Sequence, residues 1–131
     1  MDKFLTKPPL RKVAIVGSRS ITNYSIFKSK LESHNLAFEC IISGGANGVD
    51  SLAKRYATEH GIKLVEILPD WKTHGKGAGL LRNTEIVKMA DVVIAFWDGV
   101  SRGTKDSIEK ATAMKKECRV IKMMQENEIS S

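Results

Sequence analysis

The stretch ISGGANGVDSLAKRYA, residues 42–57, sets Gly44, Gly45 and Gly48 between a β-branched run and a helical pattern. Glycines at such a junction strip side chains from the backbone, so that N–H groups can face a ligand. The helix that follows adds its unpaired amides and the positive end of its dipole. Binding of phosphate or another anion is the chemistry this suits; a tight turn with positive φ uses the same residues without a ligand. Ser43 and Ala46 complete the loop, and a second glycine–hydroxyl pair, Gly103-Thr104, stands at another helix start. Arg82, beside Asn83, follows a glycine-bearing approach from Gly75 to Gly79, and Arg19 follows Gly17-Ser18. A guanidinium at either place can clamp a phosphate with two parallel donors or lie solvated on the surface. Trp71, beside Pro69 and Asp70, reads about equally as a platform for stacking on a base; Trp97 reads more readily as core packing.

Catalytic signals are thin. Asp50, Asp98 and Asp106 are the carboxylates that could act as acid or base; Asp98 and Asp106 could also bind a ribose, and both read more readily as turn caps. His34 and His60 sit near helix C-termini, where the dipole favours an imidazolium, and His74 lies in a candidate loop. No Ser-His-Asp set and no metal-ligand spacing is present, so neither a metal nor a cofactor is expected. GSRSIT lacks the G-x-G-x-x-G spacing, and Gly75-Lys76-Gly77 lacks the hydroxyl that would follow in a P-loop.

These residues need elements to hold them. KVAIVG (12–17), ECIIS (39–43), KLVEIL (63–68), DVVIAFW (91–97) and RVIKMM (119–124) are short, nearly continuous apolar runs. Such runs suit parallel strands buried on both faces. Helical patterns fall between them. Tyr24–Ser33 turns Phe27 and Leu31 inward. A helix capped by Asn47 sets Val49, Leu52, Ala53, Tyr56 and Ala57 on one face and Asp50 in its first turn, and Gly61 stops it. Leu80–Ala90 carries Leu80, Asn83, Val87 and Ala90, and Lys105–Lys116 carries Ile108, Ala111 and Thr112. Strand and helix alternating four times predict an α/β Rossmann-like fold: three layers, with about five parallel strands and helices on both faces. The chain divides into a loosely held lead (1–11), one domain (12–124) and a polar tail (125–131). The four loops that carry glycines, hydroxyls and cations all follow strands, where open parallel sheets bind ligands.

Bulk composition agrees. One domain's worth of chain, 131 residues, is 42% hydrophobic and 27% charged, which supports a core without staples. Apolar runs are too short to span a membrane, and the N-terminal residues contain no signal-peptide apolar region. Cys40 and Cys118 read as two reduced thiols in a cytoplasmic protein. The net charge of +6 favours an anionic partner, either a phosphorylated small molecule or nucleic acid.

KVAIVGSRSITNY, ISGGANGVDSLAKRYA, ILPDWKTHGKGAGLLRN and DVVIAFWDGVSRGTKDSIEKA together resemble the YspA-like branch of the SLOG superfamily, over Lys12 to Ile121. That resemblance implies a Rossmann-like domain that binds a nucleotide or nucleotide derivative, of bacterial or phage type, with pairing into a homodimer. Two related families frame the alternatives. Val13 to Arg19, Ser43 to Asp50 and Arg82-Asn83 are similar to segments of DprA (Smf), with Thr84 at that family's second arginine; this implies single-stranded DNA binding. Ser101 to Thr104 resembles the loop of the Lonely Guy phosphoribohydrolases, whose catalytic glutamate position is Ser107 here; this implies a ribosyl-bond hydrolase or transferase.

Overall fold

The computed structural model describes residues 8–123. Five strands form one sheet: β1 (Leu10–Gly17), β2 (Ala37–Ser43), β3 (Leu64–Glu66), β4 (Val92–Trp97) and β5 (Glu117–Lys122). Their spatial order is β3-β2-β1-β4-β5, and every neighbouring pair is parallel. The helices are α1 (Tyr24–Glu32), α2 (Val49–His60), α3 (Trp71–His74), α4 (Ala78–Met89) and α5 (Arg102–Ala113), with a 3-10 turn at Gly75–Gly77 between α3 and α4. This is the α/β Rossmann-like fold expected from the alternating pattern.

Alternation along the strands makes two cores, because successive side chains leave opposite faces of a sheet. Val13 and Ile15 of β1, Ile41 of β2 and Val92, Ile94 and Phe96 of β4 meet α1 and α2 through Phe27, Leu31, Val49 and Tyr56. Ala14, Val16, Cys40, Ile42, Val93 and Ala95 meet α4 and α5 through Ile86, Val87, Ala90 and Ala111. The first core holds the large rings, with Phe27 and Phe96 at 4.6 Å between centroids. The second is lined by smaller residues, so α4 and α5 lie close to the strands. Helices therefore cover both faces, and the connection changes face between β3 and β4. That leaves a switch point between β1 and β4, where the loops leave in opposite directions.

Several local expectations need correction. β1 begins at Leu10, whose backbone pairs with Ala37, so Leu10 and Arg11 belong to the sheet rather than to the lead. The rest of that lead as far as Lys7, and the tail with Met124, lie outside the described residues. β3 has only three residues; Ile67 keeps one bond to the sheet, its N donating to Ser43 O at 2.8 Å, and Leu68 lies beyond the strand. The cap of α2 is Gly48 at φ 71°, not Asn47, because the loop must turn left-handed to lay its backbone on Ser18 and Arg19. Leu80 and Thr112 face solvent; Ile86 takes the inward place expected of Leu80. α5 starts at Arg102, three residues early, with Ser101 as its cap. Cys40 is buried and Cys118 half-buried, and both are free thiols. No helix among the described residues is long and apolar enough to cross a membrane.

Candidate functional site

Three loops, those after β1, β2 and β4, meet at the carboxyl end of the sheet and enclose an open cleft of about 440 Å³. Its floor is Val16 and Gly17 at the end of β1. The fourth connector was expected to join them. It does not: residues 71–74 coil into α3, and Trp71 is 57% exposed outside the cleft lining. That crossover reaches the cleft only through Arg82, Asn83 and Ile86 of α4. Chain length explains the difference, because eleven residues from Pro69 to Gly79 are enough to build their own turn of helix.

The β2–α2 loop is not the bare amide cradle that its glycines suggest. A Cβ on Gly44 would overlap the Arg82 guanidinium, so Gly44 exists to admit that side chain. Arg82 Nη1 donates to Gly44 O at 2.7 Å and Nε donates to Asn83 Oδ1 at 3.0 Å. Two of its five donors are thus spent on pinning the guanidinium to the wall. Two of the loop amides are spent too: Gly45 N donates to Ser43 Oγ and Ala46 N to Asp50 Oδ2. Asp50, at the second residue of α2, occupies with its own carboxylate the place where an external anion was expected. Burial pushes the Asp50 carboxyl above its usual range, against donation from Ala46, the Arg82 charge, the Ser43 hydroxyl and the Arg19 charge. Burial likewise draws Arg82 below its ordinary value; Asp50 opposes this and Arg19 adds to it.

The start of α5 is the more open of the two helix starts. Its first intrahelical bond runs from Lys105 N to Ser101 O, which places the amides of Arg102, Gly103 and Thr104 ahead of the ladder. No acidic residue sits in its first turn, and a Cβ on Gly103 would meet nothing within 4 Å. Ser101 Oγ and Thr104 Oγ1 lie 3.1 Å apart at its edge. Asp98 builds this start from outside. Its Oδ1 accepts from Val100 N (2.9 Å) and Ser101 N (2.8 Å), and its Oδ2 accepts from Ser20 Oγ. Burial pushes the Asp98 carboxyl up, but the Val100 and Ser101 amides and the Ser20 and Ser18 hydroxyls outweigh it and hold it below the usual range.

The structure thus brings Gly17, Arg19, Gly44, Ala46, Asp50, Arg82, Asn83, Gly103 and Thr104 to one cleft, with Asp98. Ser18, Ser43, Gly45, Gly48, Trp71 and Asp106 are not on its lining. Ser18 is buried, and its Oγ accepts from Asp98 N, tying β1 to β4. Asp106 is held by Asn83 Nδ2 at 3.1 Å and Lys110 Nζ at 2.7 Å, which fastens α4 to α5. Ser20, Ser101 and Ser107 also line the cleft; Ser101 and Ser107 enter the sequence reading only through the resemblance to the Lonely Guy loop, and Ser20 is no site candidate there. Ser20 was recoverable from its spacing of two from Ser18, and Ser107 from its place one turn beyond Gly103-Thr104.

Comparison with known proteins agrees with this architecture. The chain is 37% identical over 111 residues to the Gene 61 protein of Mycobacterium phage D29, across 78% of this chain and 89% of that protein. Its structure is similar to DNA processing protein A from Helicobacter pylori, described for its single-stranded DNA binding mode: TM-score 0.64 and 27% identity, over 98% of this chain and 75% of that one. DNA processing protein A from Streptococcus pneumoniae shares the fold, with TM-score 0.70 and 20% identity, over 93% of this chain and 54% of that one. Residues 11–74, which hold both the GSR turn and the glycine loop, match a family model of their own. With these two motifs at adjacent strand ends of a parallel sheet, the chain belongs to the YspA, cpYpsA-related SLOG family.

Proposed function

We propose that the cleft binds single-stranded DNA and seats one backbone phosphate at the start of α5. The observation that carries this reading is the set of early α5 amides beside the Ser101–Thr104 hydroxyl pair, in an open cleft that Arg19 and Arg82 also line. A phosphodiester needs donors in a water-accessible groove and does not need a closed cavity. Arg19 is exposed on the rim and Arg82 is fixed on the wall, so one supplies a mobile charge and the other an oriented one. The likeness to a DNA processing protein described for its single-stranded DNA binding supports the strand as ligand.

The size of the cleft, about 440 Å³, favours a second reading in which a free nucleotide or nucleotide derivative is the guest. Both use the same phosphate contacts. Fluorescence anisotropy with labelled (dT)12 separates them. Affinity falls with salt at a logarithmic slope of about −0.7 per phosphate contacted, and Arg19→Ala lowers both affinity and slope. No binding at low salt, or an unchanged slope in Arg19→Ala, overturns the strand reading. A thermal-shift series with nucleoside phosphates, cyclic nucleotides and ADP-ribose tests the second: ligand at 100 times its dissociation constant adds about 2.7 kcal/mol of stability. Free base released from a nucleoside monophosphate would instead mark a ribosyl-bond enzyme, with Asp50 the cleft carboxylate whose burial suits an acid.

A further inference from the structure

Beside the cleft lies a second concavity of about 450 Å³, between the end of β3 and the outer face of α4. Its apolar walls include Ile67, Leu68, Ala78 and Leu81; Asp70, His74, Thr84, Glu85 and Lys88 stand around them. Leu68 is 63% and Leu81 48% exposed, and Trp71 and Leu80 on the neighbouring turns are exposed too. Half of the exposed large hydrophobic residues described in the chain therefore fall within residues 68–81. Scattered apolar residues need no explanation, but a grouped set does.

Two contacts join this groove to the cleft. Arg82 lines both concavities, and Leu68 packs where a Cβ on Gly45 would stand, against the loop after β2. The acidic groups at the groove are engaged: Asp70 Oδ1 accepts from Thr73 N at the start of α3, and Glu85 faces Lys88 at 3.9 Å. The groove thus offers apolar walls, polar edges and a shared arginine next to a phosphate site. Those are the demands of a nucleobase, which has an apolar face and a hydrogen-bonding edge.

Resting on the strand reading of the cleft, we infer that this groove receives the base of the nucleotide adjoining the one seated at α5, with Leu68 and Leu81 as its walls and Arg82 at the threshold. The strand then crosses from the loop after β1 over Arg82 toward α3. Base contacts of this kind tolerate any sequence and carry no charge. They must therefore lower affinity when lost without changing the salt dependence, unlike a phosphate contact.

The test uses the full chain and labelled (dT)12 between 50 and 200 mM salt, comparing wild type, Leu81→Ser, Leu68→Ser and Arg19→Ala. Both leucines are largely exposed, so the serine variants keep the fold, which circular dichroism checks. Each serine variant is expected to weaken binding by roughly five- to thirtyfold with an unchanged salt slope, while Arg19→Ala flattens the slope. Wild-type affinity in both serine variants overturns the groove and leaves the cleft standing. No binding by wild type at 50 mM salt overturns both. A wild-type dimer that becomes monomeric in Leu81→Ser would mean that a second copy covers the groove, and also overturns the inference.

Discussion

Asp50 and Arg82 carry the chemistry at the scale of single residues. Arg82 is bound to the protein before any ligand arrives, through Gly44 O and Asn83 Oδ1. On the proposed reading, a ligand phosphate would meet a guanidinium whose plane is already set, and less rotamer entropy would be lost on binding. Asp50 works in the opposite sense, since an ionised carboxylate on the same wall repels a phosphate. Its folded-state pKa is raised by burial above the unfolded value. The folded state thus holds an extra proton between the two values, and stability falls as pH rises through that window. Asp50→Asn keeps an oxygen to accept from Ala46 N and removes the charge. The variant is expected to bind (dT)12 roughly fivefold more tightly at pH values above the folded pKa of Asp50, where the wild-type carboxylate is charged. Its urea midpoint should gain on the wild type as pH rises past the folded pKa of Asp50. Equal affinities, and a gap between midpoints that does not change with pH, would show that Asp50 does not face the ligand.

The elements matter through their junctions. The start of α2 is locked to the end of β1, with Val49 N donating to Ser18 O at 3.3 Å. Gly48 makes this lock, because its φ of 71° and missing side chain let the two backbones touch. Gly48→Ala would force a Cβ into the Ser18 carbonyl and the Arg19 backbone, in a conformation that alanine avoids. A loss of roughly 2–4 kcal/mol is expected in urea denaturation, with DNA affinity falling because Arg19 moves with the clash. A stability loss under about 0.5 kcal/mol would mean that the junction is loose. α4 is fastened differently, by side chains that end on its backbone carbonyls: Lys110 Nζ of α5 donates to Leu80 O, and Lys116 Nζ, in the connection to β5, donates to Lys88 O and Ala90 O. Lys116 so satisfies the last carbonyls of α4, which explains why no glycine is needed there.

For the whole molecule, the doubly wound order places all the loops that follow strands on one edge and opens a gap between the loops that leave the paired strands β1 and β4. The cleft exists because helices cover opposite faces on either side of that gap, and it is held open by the two cores beneath it. Phe27 and Phe96 dominate the core on the α1 and α2 side, and both are fully buried. Phe27→Ala is expected to cost about 3–5 kcal/mol in denaturant unfolding, with a cavity left against Phe96. A cost below about 1 kcal/mol would mean that α1 is not part of the cooperative unit. The charge of +6 acts at this scale as well, drawing anions to the molecule before any single contact forms.

The sequence by itself determined the layer architecture. Apolar runs of strand length alternating with helical periods leave few other folds, and the glycine and arginine loops after strands had to share an edge. Ten of the cleft residues were legible for that reason, from Gly17 and Arg19 to Gly103 and Thr104. What only the tertiary structure decided was the use of each group. Gly44 admits Arg82 instead of a ligand, Asp50 fills the start of α2, and Trp71 is carried away from the cleft on α3. Ser18 and Ser20, two residues apart, divide between the interior and the cleft. For Gly44 and Ser18 the physical reason is the same. A residue type sets which bonds a group can make, but its partner comes from a segment 38 or 80 positions away, as in Arg82 with Gly44 and Asp98 with Ser18. Local pattern does not encode such pairs.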